Sequence, residues 1–221
     1  MNVSDAVVQR RSIRAFLDTP VDRGVIERVL DRARFAPSGG NVQPWQAVVV
    51  AGDPLRQLLA KVAEARAAGH SESDHPSYPD PCPEPFMQRR RECASALYGT
   101  LGITRKDKAR RDAQAERNWT GFDAPCLIFC HTPAWIGVSQ WADLGIWLQT
   151  VMLLMTEEGL ATCPQAAWAH TGGVVRAALG IPADHVLYCG LAVGYADPDS
   201  PVNALRTSRA PLADSARFVG L

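Results

Sequence analysis

The chain has no excess of charge of either sign: 23 Lys and Arg balance 23 Asp and Glu. A nucleic-acid or membrane-surface protein favours excess positive charge, so both functions are disfavoured, and basic work falls to a few positioned arginines. Paired cysteines are also missing. Cys82, Cys93, Cys126, Cys130, Cys163 and Cys189 are scattered without a CxxC and match no zinc spacing. A chain of 221 residues needs no disulfide staples, so these read as reduced thiols of an intracellular, cytoplasmic protein, with no metal site expected. No bilayer-length apolar run occurs. The longest, Leu144 to Met155, contains Gln149 and Thr150 and runs into Glu157 and Glu158, which suits a core helix. The first residues hold no apolar signal region, so export is not expected. No GxGxxG follows a strand, which disfavours a Rossmann nucleotide site, and no repeat is visible.

What is present suits an ordinary globular domain with helices and strands interleaved. Ser4 is placed to cap a first short helix, and Asp22 a second in which Val25, Ile26, Val29, Leu30 and Ala33 recur at helical spacing until Pro37. The run from Trp45 to Ala51 reads as a buried strand and Pro54 to Ala68 as a helix. The proline-rich stretch from His70 to Phe86 is a mobile loop or an ordered lid. Charged, helical residues follow from Met87 to Asn118. Then come a strand from Pro125 to His131, a long helix from Ser139 to Glu158 stopped by Gly159, a helix from Ala169 to Leu179 and a strand from His185 to Val193. The tail ends in apolar Phe218, Val219 and Leu221, which a merely disordered tail would not need. Few strands between long helical stretches favour an α/β or α+β sandwich with one central sheet.

Four segments carry chemistry. Arg10, Arg11, Ser12 and Arg14 place three arginines in five residues, a pattern that invites an anion, because the planar guanidinium donates paired hydrogen bonds to phosphate. The same cluster also reads as a solvated patch. Pro37, Ser38, Gly39, Gly40, Asn41, Val42 and Gln43 form a turn whose backbone can approach a ligand, or simply a helix-to-strand connection. Cys163, Pro164, Gln165 and Ala166 follow the long helix, alternatively as a plain helix–turn segment. Arg206 and Arg209, in the run from Asn203 to Arg209, either return to the anion held by the first arginines or keep the tail soluble.

Each segment alone is weak, but in this order and spacing RRSIRAF, PSGGNVQPW, GLATCPQ and RTSR resemble the nitroreductase family of flavoproteins. The segment from Leu101 to Pro125 resembles the nitrobenzoate-reductase-like branch. The resemblance implies one α+β domain over residues 1–221, with a mostly antiparallel sheet flanked by helices, an insertion at about residues 70–120 forming a lid or acceptor pocket, and an interlocked homodimer with FMN at the interface. It implies that Arg10, Arg11 and Ser12, with Arg206 and Arg209, hold the flavin phosphate and ribityl chain. Arg14 falls at the pyrimidine edge, where a fixed cation stabilises negative charge on reduced flavin. Pro37, Ser38, Gly39 and Asn41 would come from the partner, while Cys163, Pro164, Gln165 and Ala166 would lie along one ring face.

The implied activity is ping-pong reduction of nitroaromatic or quinone acceptors by NAD(P)H, the cofactor carrying the chemistry with no catalytic side chain. His70, His75, His131, His170 and His185 accordingly form no catalytic set. Tyr98, Trp119 and Phe122 are expected to shape the acceptor pocket. Two departures stand out. Gln165 replaces the glutamate of some relatives, and only Asn118 is a candidate for the usual asparagine partner. Reductive dehalogenation, flavin destruction or a non-catalytic flavin sensor are the alternatives on this scaffold; a nucleic-acid function would need a basic face that the sequence lacks.

Overall fold

The computed structural model describes residues 1–70 and 72–220. Four strands form one antiparallel sheet in the order β1-β2-β4-β3: β1 Gln46–Ala51, β2 Cys126–Pro133, β3 Ala161–Gln165 and β4 His185–Gly194. Among the described residues, seven α-helices surround it: α1 Val3–Gln9, α2 Arg23–Ala33, α3 Gly52–Ala67, α4 Phe86–Thr100, α5 Lys108–Glu116, α6 Val138–Glu157 and α7 Gly172–Leu179.

The central strands are covered on both faces. Along β2, Cys126, Ile128 and Cys130 point one way and Leu127 and Phe129 the other, as the two-residue strand period requires. The first face packs on α6 through Leu144, Leu148, Val151 and Met155, with Ile26 and Val29 of α2 beyond. The second packs on Leu55, Leu58 and Val62 of α3 and Val175 of α7. Each such side chain, once buried, stabilises the fold by about 1.5–3 kcal/mol. Trp168 lies edge-on to Phe129, with ring centroids 5.1 Å apart. Its indole fills the space above Gly190, where a Cβ would collide with it.

Asp22 caps α2 as expected, its carboxylate accepting from the Val25 N–H. The first cap differs: Asn2, not Ser4, accepts from the Asp5 N–H, because the helix begins at Val3. Helix α2 ends at Ala33, ahead of Pro37. The β1 run is an edge strand with only Val50 buried, rather than a buried strand; it pairs on one side alone, and its apolar residues reflect strand preference more than burial. Gly159 adopts φ +77° and stops α6, as its lack of a Cβ permits. Helix α7 starts at Gly172, after a 3-10 turn over Ala166–Thr171.

The segment after α6 is not a helix–turn but the strand β3, paired to β4 with Cys163 opposite Ala192 and Gln165 opposite Gly190. Pro164 lacks an N–H, and an edge strand is where a sheet tolerates it. In the tail, Phe218 and Val219 stay about two-thirds or more exposed (66% and 74%), while Leu221 lies outside the described residues.

Candidate functional site

The two arginine segments, almost 200 residues apart in sequence, meet. Residues 10–14 run beside β3: Ser12 bridges to Thr162, and the Ile13 N–H donates to the Thr162 carbonyl at 2.9 Å. The tail is fastened to the same segment by Asn203. Its Oδ1 accepts from the Arg14 N–H at 2.9 Å, its Nδ2 donates to the Ala15 and Asp197 carbonyls, and its own carbonyl accepts from Arg11 Nη1 at 2.7 Å. Asn203 is buried and nearly saturated with hydrogen bonds, so it fixes the geometry of everything around it. The fourth sequence segment contained it, but only the arginines there suggested a role.

Arg10, Arg11, Ser12, Arg14, Arg206 and Arg209 line one cavity of about 250 Å³, with Cys93 of α4 at its rim. Among the described residues none of these five arginines forms an ion pair. Arg14, Arg206 and Arg209 touch only neutral oxygens, such as the Ser12 carbonyl at 3.2 Å and the Thr207 hydroxyl at 2.6 Å. Burial first and then Arg209 pull Arg10 below the usual guanidinium range; burial and then Arg206 do the same to Arg11. A set of mutually repelling cations without a counter-charge is a site for an anion.

Strand β3 leads from this cavity to a second. Cys163 sits between them, its thiol pushed up to about 11 by burial against the opposing pull of Arg14, the Ser12 hydroxyl and Arg10. It is a packed, protonated side chain. Pro164, Gln165 and Ala166 then line a space of about 380 Å³ with His75, Trp141 and Tyr188. Gln165 is buried; its Nε2 donates to the Asn118 carbonyl at 2.7 Å, and its Oε1 accepts from Trp168 Nε1 at 3.3 Å. Asn118 thus lies directly beside Gln165.

The proline-rich loop closes this second cavity. The Asp74 carboxylate pairs with Arg176 of α7 and accepts the Leu187 N–H of β4 at 2.6 Å; its own N–H donates to the Ala169 carbonyl at 3.0 Å. His75 Nε2 lies 2.8 Å from the Tyr188 carbonyl, and Ser77 Oγ lies 3.2 Å from His170 Nε2. Residues 73–77 are thus an ordered strap, although Ser71 lies outside the described residues. No sequence pattern links Asp74 to a partner 102 positions away.

The Pro37–Asn41 turn lies elsewhere. It precedes β1, at the opposite edge of the sheet from β3, three strand spacings or roughly 14 Å across. Gly40, Asn41 and Gln43 have φ near +58°, +57° and +50°, the left-handed region that glycine and asparagine tolerate best. Ser38 Oγ accepts the Gln43 N–H at 2.9 Å, and the Gly39 N–H donates to the buried Asp143 carboxylate of α6 at 3.2 Å. Pro37 and Asn41 are exposed.

Tyr98, Trp119 and Phe122 do not converge on one cavity. Phe122 is 2% exposed in the core at φ +56°, and Trp119 lies beneath the Arg66 guanidinium, 3.2 Å from its ring centre. Tyr98 lines a separate hollow between α4 and α5. Aromatic content alone does not distinguish a core ring from a pocket wall. Among the described residues no cluster of three or more His, Cys, Asp or Glu could hold a metal ion, and no helix is long and apolar enough to cross a membrane.

The chain is similar to several known proteins over most of its length. The family model described as "Nitroreductase family" matches residues 7–195. A 4-nitrobenzoate reductase of Pseudomonas putida is 34% identical over 98% of this chain and 95% of its own length. A nitrobenzene nitroreductase of Ectopseudomonas oleovorans is 34% identical over 98% and 96%. Among solved structures, an FMN and NADPH-dependent nitroreductase NfnB from Sphigopyxis sp. strain HMH is 44% identical with a TM-score of 0.98, each chain covered completely (100%). The FMN-dependent NfnB of Mycobacterium smegmatis, solved with NADPH, is 32% identical with a TM-score of 0.94 over 98% of both chains. With this family match over most of its length and relatives 34% identical across nearly the whole chain, the chain belongs to the nitroreductase family.

Proposed function

We propose that the protein is an FMN-dependent oxidoreductase that takes reducing equivalents from NAD(P)H and passes them to nitroaromatic acceptors of the nitrobenzoate type, or to quinones. The observation that carries this reading is the pairing across β3 of an acid-free cavity of five arginines with a slot lined by Pro164, Trp141 and Tyr188. A phosphate joined to a flat aromatic ring system matches both ends, and the named relatives are FMN-dependent nitroreductases.

Arg10, Arg11, Ser12, Arg206 and Arg209 suit the phosphate and ribityl chain, and Arg14 supplies a fixed cation for the ring's pyrimidine edge. Pro164, Gln165 and Ala166 suit a ring face. When bound, FMN supplies hydride acceptance from NAD(P)H and reduction of the acceptor. The side chains bind, orient and hold positive charge near the ring, which favours its reduced, anionic form. Reductant and acceptor use one slot in turn, in a ping-pong sequence.

The reading includes a homodimer. Pro37, Ser38, Gly39 and Asn41 are at the far edge of the sheet from β3, which supports their reaching the flavin from another copy. Exposed Val3, Val7, Val8, Val42, Phe218 and Val219 provide apolar surface for that contact. We read residues 1–221 as one domain, residues 70–120 as its lid, and the six unpaired cysteines as fitting the cytoplasm.

The purified protein is expected to show flavin absorption bands that bleach on anaerobic addition of NADPH or NADH and return with 4-nitrobenzoate or a quinone. A colourless protein that binds no added FMN rejects the reading. Bands that persist with either nucleotide reject the oxidoreductase and leave a flavin sensor.

A further inference from the structure

A second group of arginines lies outside the flavin half-sites. Between α4 and α5 is a hollow of about 360 Å³ lined by Arg91, Tyr98, Ile103, Thr104, Arg105 and Arg111. Its three guanidiniums are poorly compensated. Arg91 reaches Glu84 at 3.3 Å, whereas Arg105 has neither an ion pair nor a hydrogen bond among the described residues. The buried Nε of Arg111 has no hydrogen-bond partner. The nearby Asp107 carboxylate accepts from the N–H and hydroxyl of Thr104, at 2.8 and 2.7 Å, and its one charge is shared between Arg110 and Arg111. Leaving a buried charged donor unmatched is costly, and an arriving anion removes that cost.

Helix α5 connects the hollow to residues beside the redox slot. Arg111 is on α5, and Asn118, which carries Gln165, follows the end of that helix seven positions later. At helical rise the separation is roughly 10 Å. An extended dinucleotide covers such a gap, while a nitrobenzoate held at the slot is too short to reach across it. Beside the three cations, the Tyr98 ring and Ile103 offer a flat apolar wall suited to a purine.

We propose that this hollow binds the 2′-phosphate end of NADPH and so makes the enzyme prefer NADPH over NADH. The proposal rests on the reading of the protein as an NAD(P)H-dependent flavoenzyme. The two coenzymes differ only in this phosphomonoester, and Arg91, Arg105 and Arg111 are the forks that recognise it.

The test compares wild-type, Arg105→Ala and Arg111→Ala proteins, each loaded with FMN. Flavin content is measured first, then kcat and KM with NADPH and with NADH, then binding of 2′,5′-ADP and of 5′-AMP by calorimetry. Arg105 is exposed, so its variant folds normally. Expected are unchanged flavin content and kcat, KM for NADPH raised about 10–100-fold and an unchanged KM for NADH, from the loss of charge-assisted hydrogen bonds. Binding of 2′,5′-ADP should weaken in parallel, with 5′-AMP unaffected. Equal effects on both coenzymes, no effect on either, or a change confined to the KM for 4-nitrobenzoate overturns the proposal. A wild-type protein without flavin overturns the underlying reading instead, before the hollow is tested.

Discussion

The β3 edge of the sheet is heavily fastened, and the β1 edge is nearly bare. On β3, residues 12–13 add a bridge, Asn203 ties in the tail, and the strap around Asp74 is pinned to α7 and β4. On the β1 side, Val49 is 41% exposed and the turn before it holds three residues in left-handed backbone with outward-facing Asn41. One edge is tied down by distant parts of the chain; the other is left largely exposed. On the proposed reading, a site that draws on both edges of the sheet needs two molecules.

The largest effect is expected on the fastened edge. Asp74→Ala removes one partner of a buried ion pair and leaves Arg176 and the Leu187 N–H unmatched, so stability should fall by about 3–5 kcal/mol, read by denaturant unfolding. A loss below about 1 kcal/mol would show that the strap is not fixed by this contact. Next, Arg10→Ala should weaken FMN binding to the apoprotein by about 10–100-fold in a fluorescence titration while leaving the unfolding midpoint nearly unchanged, since among the described residues the Arg10 side chain forms no ion pair and lines the cation cavity. On the bare edge, Asn41→Asp should weaken FMN binding by about 10-fold with little change in stability, because Asn41 is exposed and the proposed reading places it against the flavin of another copy. An unchanged affinity would separate the β1 turn from the site.

A further effect is general to both edges and appears only as the pH falls. His131 and His185 are buried with their Nδ1 atoms 2.9 Å apart, and burial followed by His185 holds His131 down at about 4. Its folded-state value lies below the unfolded one, so the unfolded chain binds the extra proton first. Stability is full above about 6.5 and falls as the pH drops toward 4. His131→Asn should flatten that slope in thermal unfolding scans; an unchanged slope assigns it to other groups.

Much of this was legible in the sequence because it is local. Asp22 as a cap, Gly159 as a stop and the alternation in β2 each depend on neighbours a few residues away. The arginine segments were legible as chemistry, since so many forks in a neutral chain have few other uses. Strand β3 was not, because Pro164 argues against pairing until the edge position is known. Asp74, the polar saturation of Asn203 and the core placement of Phe122 were hidden for the same reason: each is decided by a contact 50 or more positions distant, with no periodic trace. Gln165 with Asn118 falls between the two, as the residue types were visible and only their meeting was not.

The central claim, that each flavin site takes its two halves from two copies, is tested most directly by complementation. Arg10→Ala and Asn41→Asp chains, each defective alone, are co-expressed or refolded together and assayed for FMN binding and NADPH-dependent reduction of 4-nitrobenzoate. In a random mixture half the dimers are mixed, and each mixed dimer regains one intact site of two. The account predicts recovery of roughly a quarter of wild-type sites; a mixture no better than its components contradicts it.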